Sequence, residues 1–202
     1  MKNIFLCIVT MMVIGFVAGC GTVKVQRVDI GKTIDLSGRW NDSDARIVSQ
    51  EMIANCLKGA WLDEFYKKHG QNPVVIVGTV VNKTNEHINS DVFVKSLEES
   101  LLGSGKVVFV ASKNERLEVR EERKGQNEEG WTDPETIKPI GKETGSDFML
   151  KGAINSVTDE LKGRQTTLYQ VTLELVDMTT NRITWLGKTE LKKLIQRAKL
   201  SL

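Results

Sequence analysis

Cysteine is scarce in this sequence. The three that occur, Cys7, Cys20 and Cys56, are too few for a disulfide framework: two lie in the first twenty residues, and Cys56 stands alone in the rest of the chain. Histidine is scarcer still. His69 and His87 have no partner at metal-ligand spacing, so nothing in the chain calls for a metal or a cofactor. An excess of one charge is also missing: 28 Lys and Arg face 26 Asp and Glu. That balance gives no electrostatic case for nucleic acid as a partner.

Two short stretches imitate ligand loops and fail. Gly103-Ser104-Gly105-Lys106 echoes a phosphate-binding loop, but Ser100 replaces its first glycine and Val107 replaces its magnesium-holding hydroxyl. Its glycines also follow a helical pattern and precede a strand pattern, which reads as a helix stop. Asp42-Ser43-Asp44 opens like a calcium loop, but Ile47 and Ile53 stand where glycine and the closing glutamate are needed. Paired acids such as Glu98-Glu99 lie on one helix surface with no matched group. No catalytic constellation emerges, and the reading is not an enzyme.

What is present begins at the amino terminus. Met1-Lys2-Asn3 is followed by an apolar, uncharged run from Ile4 to Phe16. This length suits a signal-peptide core and is short for a membrane-spanning helix. Val17-Ala18-Gly19-Cys20 then resembles the bacterial lipobox, with small residues just before the cysteine. The resemblance implies cleavage after Gly19, diacylglycerol on the Cys20 sulfur and acylation of the new amino terminus. Gly21, in place of an inner-membrane-retaining Asp, implies the outer membrane, facing the periplasm. Several acyl chains make such an anchor effectively permanent, since each buried methylene contributes about 0.8 kcal/mol. Residues 1–19 are thus read as signal peptide, 20–40 as a lipid-anchored tether and 41–202 as the globular domain.

The domain reads as α/β (α+β), a mixed sheet of four to five strands flanked by helices. Asn41 to Asp44 caps a helix whose apolar face carries Val48, Met52 and Cys56, which makes Cys56 an inert core thiol. Trp61 to Lys68 continues as helix. Val74 to Val81 is a buried strand, a helix with Phe93, Leu97 and Leu101 follows, and Val107 to Val110 returns parallel to it. Residues 112–126 have no core face. Their acids, Glu115, Glu118 and Glu122, lie opposite Arg116, Arg120, Arg123 and Lys124. That segment is either a solvated helix or a docking surface, and Trp131 beside it either anchors a partner or covers the core. Pro134 to Glu143 is expected to be a short helix. Phe148 to Val157 is a strand, and the alternation of Tyr169, Val171, Leu173 and Leu175 gives a half-exposed strand. Met178 to Arg182 turns, Ile183 to Leu191 returns as a hairpin, and 194–202 is read as a basic tail.

Four spaced motifs point to a family. They are Asp35-Leu36-Ser37-Gly38-Arg39-Trp40-Asn41-Asp42-Ser43-Asp44, the run from Val77 to Thr84, Gly145-Ser146-Asp147-Phe148-Met149-Leu150-Lys151-Gly152, and Leu173-Glu174-Leu175-Val176-Asp177. Together they resemble the LpoB family of outer-membrane lipoproteins, over about Asp35 to Leu194. The resemblance implies a small mixed sheet with helices and a non-catalytic role: docking on a bifunctional penicillin-binding protein and raising its polymerising and crosslinking rates. More distantly, the chain is similar to envelope lipoproteins of secretion and assembly, which implies the alternative of a structural role. It departs from the best-known members in its tether. That tether is short, and all three prolines, Pro73, Pro134 and Pro139, come after it.

Overall fold

The computed structural model describes residues 25–128 and 130–196. Contacts divide the chain into a unit ending at Thr33 and one running from Ile34 onward. The second unit holds every element described below.

Helix α1, Asp42–Cys56, starts where the capping residues predict. The Asn41 side chain accepts from the Asp44 amide at 3.1 Å, and the Asp44 carboxylate accepts from the Asn41 amide at 2.9 Å. This reciprocal box satisfies two amides that the helix itself leaves unpaired. Helix α2, Ala60–His69, is separated from α1 by Gly59 and closes on left-handed Gly70. Strand β1 is Val74–Asn82, and α3, Ser90–Ser104, is capped by Asn89 and closed by Gly105. Strand β2, Val108–Phe109, is only two residues long. Helix α4 spans Lys113–Glu128 and buries no side chain, in keeping with its polar sequence. Strands β3 (Phe148–Leu161), β4 (Arg164–Asp177) and β5 (Ile183–Gln196) complete the chain.

The strands form one sheet in the order β2-β1-β3-β4-β5. β1 lies parallel to both β2 and β3, while β3, β4 and β5 are antiparallel neighbours. The sheet is therefore mixed, as expected. Helices α1 and α3 pack against each other, α1 over β5 and α3 over β1. Between them and the sheet lies the core: Val48, Met52 and Cys56 from α1, Phe93, Leu97 and Leu101 from α3, and Leu150, Ile154, Tyr169, Val171, Leu173 and Leu175 from the sheet. Alternation along β4 sends every second residue into this core, so one face of the strand is buried and the other half-open.

Three expectations need correction. Residues 134–143 form no helix. Asp133 makes a single turn, accepting from the Glu135 amide through its side chain and from the Thr136 amide through its carbonyl. Pro139 lacks an amide to continue a helix and disfavours the helical conformation at Lys138. The β3–β4–β5 ladder also runs further than the alternation suggests. β3 reaches Leu161 and β5 reaches Gln196, so the supposed tail at 194–196 is paired strand. Lys162 and Gly163, both at positive φ, close β3 onto β4 in a two-residue turn that keeps the register to the end. Finally, Trp40 is not tether. Its ring meets Phe93 and Tyr169 edge-on, at centroid distances of 6.1 and 5.6 Å.

Gly152 shows why β3 and β4 sit as they do. A Cβ at this position would lie 2.1 Å from the Thr172 carbonyl oxygen and 2.7 Å from the Leu173 side chain. Backbone cannot retreat from such a clash without breaking the ladder. Gly152→Ala is expected to cost about 2 kcal/mol of stability, read from urea unfolding. An unchanged midpoint would mean that the two strands can separate at little cost.

Candidate functional site

The four family motifs all build the frame. Asp147 accepts from the Val74 amide at 2.8 Å and donates its own amide to the Val74 carbonyl, which sets β1 beside β3. Asp177 accepts from the amides of Thr179 and Thr180 and shapes the β4–β5 turn; those contacts hold its pKa below the ordinary value. Asn82 gathers the loop after β1, donating to the Glu86 carbonyl and accepting from Thr84. The loop then presents the Glu86 carboxylate to the Tyr169 hydroxyl at 2.6 Å and to the Trp40 amide at 3.2 Å. Burial first, and then this carboxylate, push the Tyr169 pKa upward.

The first motif ends in a buried charge. Lys193, on the core face of β5, is 8% exposed. Its ammonium forms an ion pair with Asp44 at 2.6 Å and donates to Asp35 at 3.1 Å and to the Arg39 carbonyl at 3.0 Å. A basic residue near the carboxyl terminus thus latches the start of the domain. Cys56 is likewise structural: burial moves its pKa from an ordinary 9.0 to about 12. The folded thiol should resist Ellman's reagent at pH 8 and react on unfolding. Above pH 9 the unfolded chain ionises here and the folded one does not, so stability should fall between pH 9 and 12. A fast native reaction would contradict this burial.

With the motifs spent on structure, the free surfaces lie elsewhere. The structure brings Arg120 and Arg123 of α4 onto one acid, Glu143. Arg120 grips it with two nitrogens at 2.7 and 3.0 Å, and Arg123 reaches it at 3.1 Å. Arg120 foremost, with Arg123, lowers the Glu143 pKa to about 2. Lys124 stands 3.8 Å from Glu128, and Arg116 is half-buried with an unpartnered Nε. The basic side of the helix is therefore largely neutralised within the chain. Its acidic side is neutralised only at Glu115, which pairs with Lys95 of α3; among the described residues Glu118 and Glu121 make no ion pair. They line an open cavity of about 670 Å³ together with Glu122 and Trp131. Trp131 is 90% exposed, so it does not cover the core.

A second concavity, about 720 Å³, lies between α2 and the β4–β5 turn. Trp61, Phe65, Phe148 and Trp185 line it, with Lys68 and Arg182 at its rim. Trp61 and Phe65 both meet Phe148 edge-on, and His69 stacks on Phe65 at 4.3 Å. Sequence reading missed this groove because its residues come from three separated segments. The pairing of Phe148 with Asp177 is what unites them. No group of His, Cys, Asp and Glu among the described residues is placed to hold a metal ion. The lipobox, Val17, Ala18, Gly19 and Cys20, lies outside the described residues. No described helix is long and apolar enough to cross a membrane.

The described residues form a helix-covered mixed sheet whose open features are an exposed tryptophan, a charged arm and an aromatic groove. Residues 44–191 match the model of a family described as peptidoglycan-synthase activator LpoB. The chain belongs to the LpoB family. Among solved structures, the LpoB C-terminal domain from Salmonella enterica is 18% identical, with a TM-score of 0.41 over 76% of this chain and 99% of that one. Lipoprotein GNA1162 from Neisseria meningitidis is 13% identical, with a TM-score of 0.39 over 63% and 88%. PelC from Paraburkholderia phytofirmans, a dodecamer, is 18% identical, with a TM-score of 0.34 over 64% and 78%. No curated protein sequence matches the chain.

Proposed function

We propose that this protein is an outer-membrane lipoprotein that binds a bifunctional penicillin-binding protein and stimulates its synthesis of peptidoglycan. Membership of the LpoB family over residues 44–191 carries this reading. To stimulate, the domain must bind the active conformation of the synthase more tightly than the resting one. Acyl groups on Cys20 hold it at the membrane. Docking falls on the α4 arm, where Trp131 supplies an aromatic anchor and Glu118 and Glu121 supply charge, so the matching synthase surface is basic. Arg116, Arg120, Arg123 and Lys124 shape that arm from its other side.

The test is a pull-down of purified synthase with the lipoprotein, together with a glycan-polymerisation assay. Binding and a faster rate are expected, and absence of both rejects the reading. Lipidation has its own test: Cys20→Ser should abolish incorporation of labelled fatty acid. A second reading, an assembly lipoprotein at its own membrane, is favoured by the short tether. About fourteen residues from Cys20 to Thr33 extend at most ~50 Å. Crosslinking in cells would then capture an outer-membrane complex instead of a synthase.

A further inference from the structure

We infer that the closed end of the β3–β4–β5 sheet is a lipid-contact surface that rests on an anionic bilayer. The three strands finish together there, with Leu161 paired to Arg164 and Arg164 to Gln196. Direct cross-strand partners share a face. Val157 pairs with Leu168 and Leu168 with Lys192; one step further out, Asp159 pairs with Thr166 and Thr166 with Leu194. The face turned away from the helices therefore carries Val157, Leu161, Leu168 and Leu194 in one patch. Val157 is 68% exposed, Leu161 71% and Leu194 56%.

Charge separates this end from the rest of the same face. Nearer the middle, the outer face neutralises itself: Lys151 stands 3.8 Å from Glu174, and Lys188 stands 2.9 Å from Glu190. At the closed end, Lys162, Arg164 and Lys192 take part in none of the ion pairs among the described residues, and Asp159 is the acid among them on this face. Exposed aliphatic side chains ringed by uncompensated cations match the interface of an anionic bilayer, which offers hydrocarbon and negative headgroups at adjacent depths.

The path of the chain identifies the occupant. The second unit begins at Ile34, and its first residues lie at this same end. Asp35 and the Arg39 carbonyl are held by Lys193, and a Cβ on Gly38 would come within 2.3 Å of Ile195. Lys193 and Ile195 pair with Thr167 and Gln165, in the last rows of the ladder. A chain arriving from an acylated Cys20 thus enters the domain at the same end of the sheet as the apolar patch, on its other face. This step rests on the lipid-anchor reading; the patch itself does not. The 110–147 segment that carries α4 and Trp131 is rooted at the opposite end, where the Val110 and Asp147 amides donate to Val75 and Val74. With the closed end on the bilayer, the root of that arm lies at the far end of the sheet.

The test uses residues 21–202 without lipid, which retain the whole core. Flotation is measured with vesicles of phosphatidylethanolamine and phosphatidylglycerol, and with vesicles of phosphatidylcholine alone. Binding is expected to the anionic vesicles, weaker to the neutral ones and weaker in high salt. The double variant Leu161→Asp, Leu194→Asp should lose at least about tenfold in partitioning, with unchanged circular dichroism and melting. Lys188→Glu, in the neutralised part of the face, should bind nearly as the parent does. Absence of vesicle binding, or equal binding by the double variant, overturns the inference. So does a dimer in sedimentation velocity that the double variant dissolves without any vesicle binding, which would assign the patch to a second copy. Because the polypeptide carries no acyl chain and no synthase is present, failure here is separable from failure of the lipid-anchor or activator readings.

Discussion

Lys193→Met is expected to remove about 3–5 kcal/mol of folding stability and to lower Tm by about 10 °C. The methionine fills most of the volume of the lysine stem, so packing changes little. What is lost is the counter-charge of Asp44, whose side chain is as buried as that of Lys193, at 8% exposure each. Asp44 also closes the cap of α1, and Asp35 and Arg39 lose their tie to β5. An unpaired carboxylate in that position is costly because the interior solvates it poorly. Adding Asp44→Asn to Lys193→Met should recover part of the loss, since asparagine still accepts from the Asn41 amide without carrying charge. Urea unfolding followed by circular dichroism measures all three proteins. A loss below about 1 kcal/mol for the single variant would mean that the ion pair behaves as a solvated one and the latch is not structural.

Trp131→Ala is expected to weaken synthase binding about thirtyfold or more, about 2 kcal/mol, while leaving Tm within about a degree. The separation follows from exposure: a side chain 90% in solvent contributes almost nothing to the free domain. On docking it would lose most of that surface to the partner. Arg123→Ala should do less to binding, because Arg123 is already engaged with Glu143 and its removal mainly loosens the arm. Titration calorimetry or surface plasmon resonance with purified synthase distinguishes these outcomes. If Trp131→Ala binds and stimulates as the parent does, docking lies elsewhere, and Trp185 in the groove beside α2 is the next residue to replace.

The motifs that carry the family resemblance are poor guides to these surfaces. Asp147, Asp177, Asn82 and Gly152 each satisfy a backbone group or permit a close strand approach. Such roles demand particular residue types, so they leave a recognisable pattern. A docking surface demands only a shape and a charge that suit its partner, and no fixed residue pattern announces it.

Local interactions made much of the architecture legible without coordinates. The Asn41 cap, the helix stop at Gly105, the apolar stripe through Val48, Met52 and Cys56, and the alternation from Tyr169 to Leu175 all follow from contacts within a few residues, where helical and strand periods act. The solvated character of α4 was legible for the same reason. Tertiary structure alone decided the rest: that Lys193 meets Asp35 and Asp44 across some 150 residues of chain, that Glu143 neutralises Arg120 and Arg123, that β3 and β5 run to the closed end of the sheet, and that the aromatic groove exists at all. These are pairings between segments distant in sequence. Their partners are selected by which faces the core brings together, and no local period encodes that choice.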